Sequence, residues 1–189
     1  MTSLRLKILL VSLCLCGCRL STPYVPHEKA APNKKPYTEN VVDCPEEIAG
    51  KAFEFAELYA QSNTEYVWGA QDPLRSIKLD CSGLVIRCYQ YALEGSEYKL
   101  LLSDMSSSYM CDNASTHLLV EELRHGDLIF MGDKGDSKKV NHIAIFDCIK
   151  NGRIYFIDCT STVNKVSHRS YPKNDSRFKY FGMMRVKQR

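Results

Sequence analysis

Apolar residues along this chain recur with two different periods. From Cys81 to Ala92, the positions Leu84, Val85, Cys88 and Ala92 repeat at spacings of three and four, the mark of one buried helical face, and Cys81 opens that face. Upstream, Ile48, Ala52, Phe55, Ala56 and Tyr59 predict a packed helix that starts near Pro45. Two β-branched and aromatic runs, 141–149 and 153–159, flank Lys150-Asn151-Gly152 and predict a β-hairpin. Residues 19–43 show neither period. They carry Pro23, Pro26, Pro32 and Pro36 among lysines and few apolar side chains, which predicts a semi-extended tether without a core. The chain from 44 to 189 is the size of one ordinary domain.

The register of the hairpin decides which side chains meet. A two-residue Asn151-Gly152 turn would pair Lys150 with Arg153, set Asp158 opposite Ile145 and turn it away from the face of His142. A three-residue loop, with Gly152 in the left-handed conformation, would pair Ile149 with Arg153 and Ala144 with Asp158. His142 and Asp158 would then be diagonal neighbours on one face, roughly 7–8 Å apart at the backbone. Only the three-residue loop lets Asp158 orient the imidazole. It also puts Cys148 on the His142 face and Cys159 on the other, which opposes a disulfide between them. The plainer roles are a core histidine at 142 and a strand-end carboxylate at 158, capped by Thr160 or Ser161.

The start of the second helix carries the chemistry. Asp80 suits an N-cap because its carboxylate accepts from the free amides of the first turn, and it leaves Cys81 at the positive end of the macrodipole. Helix N-termini and imidazolium neighbours stabilise a thiolate, the nucleophilic form of cysteine. The competing structural role for Cys81 is that of a small apolar residue in the core.

Four ordered segments, Tyr66-Val67-Trp68-Gly69, Leu79-Asp80-Cys81-Ser82-Gly83-Leu84-Val85, Leu123-Arg124-His125-Gly126-Asp127-Leu128-Ile129-Phe130 and Asn141-His142-Ile143-Ala144-Ile145, resemble the NlpC-type cell-wall peptidases over roughly residues 45–189. The resemblance implies a papain-like α+β domain, with N-terminal helices packed on a central antiparallel β-sheet. It also implies hydrolysis of peptidoglycan stem peptides, typically at the bond from γ-D-glutamate to a diamino acid such as diaminopimelate. By the same resemblance Cys81 is the nucleophile and His142 the base. Asp158 takes the place of the polar third residue, which in the family is often another histidine. Tyr66 is implied beside the oxyanion, Asp80 and Ser82 at the free amine of the stem peptide, and Tyr109 with Ser106-Ser107-Ser108 along the groove. Gly126-Asp127 resembles a structural turn.

At the N-terminus, Arg5 and Lys7 precede an apolar stretch from Ile8 and then Leu15-Cys16-Gly17-Cys18. This is the order of a secretory signal, with an apolar part too short to span a bilayer. Leu-Cys-Gly-Cys resembles a bacterial lipobox, which implies cleavage before Cys18 and its lipidation. The expectation is an exported, periplasmic or cell-envelope protein, held to a membrane by that lipid on a tether reaching roughly 80 Å at about 3.3 Å per residue. The length leaves no expectation of an accompanying SH3-like module.

With 25 basic against 22 acidic residues, the charge balance points to no polyanion partner, and basic residues do not cluster with aromatics, so no nucleic-acid partner is expected. No cofactor is expected. A zinc site built on His142, Asp158 and cysteines lacks CxxC or HExxH spacing. Nine cysteines in an exported chain would ordinarily suggest disulfides. Cys81 must be free to act, however, and Cys88 and Cys148 are expected to face the interior as small hydrophobes. His27, His117, His125 and His168 are expected at the surface or in loops. Beside the peptidase stand a thiol amidase or acyltransferase and a non-catalytic wall-binding lipoprotein.

Overall fold

In a computed structural model, which describes residues 40–70, 78–136 and 138–189, helix α1 (Glu46–Gln61) begins directly after Pro45. Glu46 and Glu47 occupy its first turn, where negative charge suits the helix dipole. Ile48, Ala49, Ala52, Phe53 and Ala56 are buried, while Phe55 and Tyr59 are only partly covered. The packed face is thus turned toward Phe53, away from the predicted Phe55 and Tyr59. The signal segment with Cys18, His27 and the tether up to residue 39 lie outside the described residues.

Helix α2 spans Cys81–Ala92, as its periodicity predicts. It is covered on more than one side, since Ile86 and Tyr89 are buried along with Leu84, Val85, Cys88 and Ala92. The cause is its position between α1 and the sheet strands β7 (His142–Lys150) and β8 (Arg153–Thr160).

The other strands are β1 (Val41–Asp43), β2 (Glu65–Tyr66), β3 (Lys78–Leu79), β4 (Tyr98–Leu100), β5 (Ser115–Leu118), β6 (Leu128–Met131), β9 (Lys165–Pro172) and β10 (Phe178–Gln188). They run in the order β1-β10-β6-β7-β8-β9-β2-β3, with β4 and β5 also on β10. Among the described residues every pairing is antiparallel except β2 with β3. A short helix, α3 (Ser107–Asn113), and a 3-10 turn at Val120–Glu122 complete the unit. The expected α+β architecture, helices packed on a mainly antiparallel sheet, is present. The last tether residues depart from expectation. Val41, Val42 and Asp43 pair with Lys187, Val186 and Arg185, a strand too short to register as a period.

The sheet carries apolar residues on both faces. Ile143, Ile145, Ile157 and Cys159 belong to the core shared with the helices, while Ala144, Phe146, Ile154 and Phe156 belong to a second cluster on the opposite face. Between the two layers of chain, Gly126 has a φ of 92°, and a Cβ there would stand 2.1 Å from the carbonyl oxygen of Ala49. Only glycine allows α1 to approach this turn, so Gly126-Asp127 has a structural role.

The β7–β8 hairpin differs from expectation in its turn and agrees in its register at the far end. Lys150 pairs with Arg153, so the turn is the two-residue Asn151-Gly152, both with positive φ, 52° and 69°. The register then shifts between Phe146 and Ile149, and Ile145 pairs with Ile157. This irregularity at Asp147-Cys148 takes up one residue, the effect of a β-bulge. Continued, the shifted register sets Ala144 opposite Asp158, the arrangement the three-residue loop was expected to produce. The bulge also leaves Cys148 only partly buried, where an interior position was expected.

Candidate active site

The end of β3 and the start of α2 are fastened by one carboxylate. Asp80 Oδ1 accepts from the Gly83 amide at 2.6 Å and the Ser82 hydroxyl at 2.9 Å, and Oδ2 accepts from the Gly69 amide at 3.1 Å. The Asp80 amide in turn donates to Ala70 O at 3.0 Å, and that of Val67 to Leu79 O at 3.0 Å. The predicted N-cap therefore also clamps the loop after Tyr66 against the helix start. Cys81, the first helical residue, is partly exposed and its thiol is free.

His142 opens β7 and meets the helix start there. Its ring neighbours Cys81 closely enough for the sulfur to raise its pKa, and its Nε2 is hydrogen-bonded to Asp158 Oδ2 at 2.7 Å. Asp158 is fully buried on β8. The same Oδ2 accepts from Arg169 Nη1 at 2.9 Å, and Arg169 Nη2 donates to the Tyr171 hydroxyl. Sulfur, imidazole, carboxylate and guanidinium thus form one continuous row across α2, β7, β8 and β9.

Burial alone would push the His142 imidazole down, but its hydrogen bonds to Asp158 and Cys81 and their charges outweigh this and raise it from 6.5 to about 9. The ring is accordingly protonated near neutral pH. An imidazolium beside the sulfur and the N-terminus of α2 both stabilise negative charge on it. The row can deliver an attacking thiolate and then give a proton to a departing group.

Tyr66 stands on β2 at the same end. Burial first, and then Cys81, Asp80 and Cys159, raise the pKa of its hydroxyl, which keeps it a proton donor. Ser82 is buried and its hydroxyl is turned onto Asp80. Ser106 caps α3 by accepting from the Tyr109 amide, and Tyr109 is exposed on that helix; no hydrogen bond joins either to the Cys81 row.

The six described cysteines are all free. Cys159 lies in the core and donates to Leu79 O at 3.1 Å, and burial raises the thiols of Cys44 and Cys111 to about 12. Among the remaining histidines, His125 and His168 are exposed, whereas His117 is half-buried on β5. No group of metal-binding side chains is assembled among the described residues.

Sequence reasoning missed Arg169. Its signal was the alternation of Ser167, Arg169 and Tyr171. That pattern gains meaning only once Asp158 is known to pair with Ser167 and Phe156 with Arg169.

The arrangement of a cysteine at a helix start, a histidine opening a strand and a polar third residue on the next strand agrees with a sequence comparison. The sequence profile of the NlpC/P60 family matches residues 63–185, which hold all three. The chain belongs to the NlpC/P60 family. Of the solved structures, that of Ly7917 superposes with a TM-score of 0.50 at 11% identity, over 72% of this chain and 62% of the other, a likeness of fold. Ly7917 with the hydrolysing product of MDP gives 0.49 at 9% identity over the same shares, and an N-acetylmuramoyl-L-alanine amidase from Bacteroides uniformis gives 0.38 at 11%, over 77% of this chain and 100% of that one. The NlpC/P60 chain described here thus spans less than two thirds of the Ly7917 chain. No curated protein sequence matches it significantly. The fold is the papain-like α+β type.

Proposed function

We propose that this chain is a cysteine peptidase that hydrolyses the stem peptides of peptidoglycan at the bond from γ-D-glutamate to diaminopimelate. The observation that carries the reading is the Cys81–His142–Asp158 row at the start of α2. Membership of the NlpC/P60 family supports a peptidoglycan hydrolase.

In this mechanism the Cys81 thiolate attacks the γ-carbonyl carbon. The backbone amide of Cys81, at the first position of its helix, and the Tyr66 hydroxyl donate to the oxyanion. As the C–N bond breaks, the His142 imidazolium gives its proton to the leaving amine and a thioester remains on Cys81. Neutral His142 then takes a proton from water, whose oxygen attacks the thioester and releases the γ-carboxylate and the thiol. Asp158 holds the ring so that one nitrogen always faces the sulfur. Asp80 and Ser82 receive the free amine of the stem peptide, the carboxylate serving as helix cap and as counter-charge.

The reading includes export and attachment to a membrane through a lipid on Cys18, with peptidoglycan as the partner. Its support is the Leu15-Cys16-Gly17-Cys18 sequence. Incorporation of a clickable fatty acid, lost in Cys18→Ser, tests that part.

For the reaction, defined muropeptides are incubated with the protein and weighed by mass spectrometry. Cleavage after γ-D-glutamate, absent in Cys81→Ala, is expected. Release of the whole stem from N-acetylmuramic acid would indicate the amidase instead, mass gain from a supplied amine an acyltransferase, and wall binding without cleavage an idle lipoprotein.

A further inference from the structure

We infer that Arg169 is a positioning residue for the nucleophile, acting through Asp158 and His142. The inference rests on the reading of Cys81 and His142 as nucleophile and base. Asp158 is fully buried, and its Oδ2 accepts from both His142 Nε2 and Arg169 Nη1, at 2.7 and 2.9 Å. Its Oδ1 is also buried and has no hydrogen-bond partner among the described residues. Outside the catalytic pair, Arg169 is therefore the carboxylate's hydrogen-bond donor.

A charge count shows what it does. In the reactive state the sulfur is negative, His142 positive and Asp158 negative, and a row of these three alone carries a net negative charge in a largely buried place. Arg169 brings it to neutrality. A buried charge without its counter-charge is costly, so loss of Arg169 disfavours the state with a thiolate and leaves the thiol. The guanidinium is itself fixed, with Nη2 on the Tyr171 hydroxyl. The Tyr171 ring lies 5.1 Å from Arg169 and 3.4 Å from Arg177, whose own charge is paired with Asp175 at 2.8 Å. Among the described residues, Asp80 before α2, Tyr66 on β2 and Cys159 on β8 also lie close to the row. None of them donates to Asp158.

The test is the rate of Cys81 alkylation by iodoacetamide against pH in the full chain, alongside kcat and KM on a stem peptide. In Arg169→Met the rising limb of the profile should move up by about one pH unit, roughly tenfold slower alkylation at a pH below both midpoints. Arg169→Lys should recover most of that rate, and kcat should fall with KM within about twofold. An unchanged profile in Arg169→Met, with only a lower melting temperature, overturns the inference. Should Arg169→Met not fold, Tyr171→Phe and Arg169→Lys are read instead. A two- to threefold slowing below the midpoint is expected (roughly a third to a half of a pH unit), and wild-type profiles in both would overturn it. Expected profiles without stem-peptide cleavage would refute the proposed substrate and leave Arg169 in its role, whereas cleavage with an unchanged profile would refute the role alone.

Discussion

Two helices of this protein each bring a cysteine to a histidine, and the pairs differ in everything except proximity. Cys111 lies in the second half of α3, with its sulfur 3.6 Å from His117 Nε2. That nitrogen is already 2.9 Å from the Cys111 carbonyl oxygen, and His117 Nδ1 is buried without a partner among the described residues. Burial, and then neighbouring Asp112, raise the Cys111 thiol to about 12. Cys81 instead begins α2, at the positive end of the helix dipole, and its histidine is held from behind by Asp158. Closeness to an imidazole does not make a nucleophile. In the proposed mechanism the end of the helix and a carboxylate on the far nitrogen set Cys81 apart, because one stabilises the anion and the other its cationic partner.

Substitution separates the two cysteines. Cys81→Ala should lower muropeptide cleavage by at least about a thousandfold, while Cys111→Ala should leave it within about twofold. Comparable losses in both would remove the distinction. Next, Asp158→Asn should cut kcat by about a hundredfold with little change in KM, since an amide cannot balance the imidazolium. Steady-state kinetics on a stem peptide decides it.

The pH response follows from His142, raised in the folded protein from 6.5 to about 9. A raised histidine favours the folded state fully below pH 6.5 and loses that contribution as pH rises through about 9, because the native protein binds the extra proton in between. Urea midpoints should therefore fall from pH 6 to pH 9.5, and the fall should shrink in His142→Ala. Smallest are the caps. Asp80→Ala and Ser106→Ala each remove an N-cap worth about 1 kcal/mol. Thermal unfolding should show both losses. Only Asp80→Ala should also reduce cleavage, because Asp80 additionally ties the Gly69 loop to the helix start at Cys81.

The parts of the molecule governed by local rules were legible in the sequence. The span of α2, its Asp80 cap and the strand after Asn141 follow from periodicity and capping over a few residues. The His142–Asp158 contact was foreseen through a three-residue loop, yet it arises from a two-residue turn followed by a bulge at Asp147-Cys148. Turn and bulge offset each other by one residue, and no local pattern in Phe146-Asp147-Cys148-Ile149 separates them. Arg169 was hidden for a related reason. Its partner lies one strand away, and the β8–β9 register depends on the turn that ends at Asn164, a positive-φ residue, before Lys165 pairs with Thr160. Val41–Asp43 show no period, being only three residues long, and their strand exists through pairing with β10.

Mapping the covalent intermediate decides which thiol attacks. The protein is quenched in acid during turnover of a stem peptide, and each cysteine is examined by mass spectrometry for the acyl group of the γ-D-glutamyl fragment. The account predicts that adduct on Cys81, and its disappearance in His142→Ala. Cleavage that proceeds with the acyl group on Cys111 or another thiol, or that persists in Cys81→Ala, would contradict it.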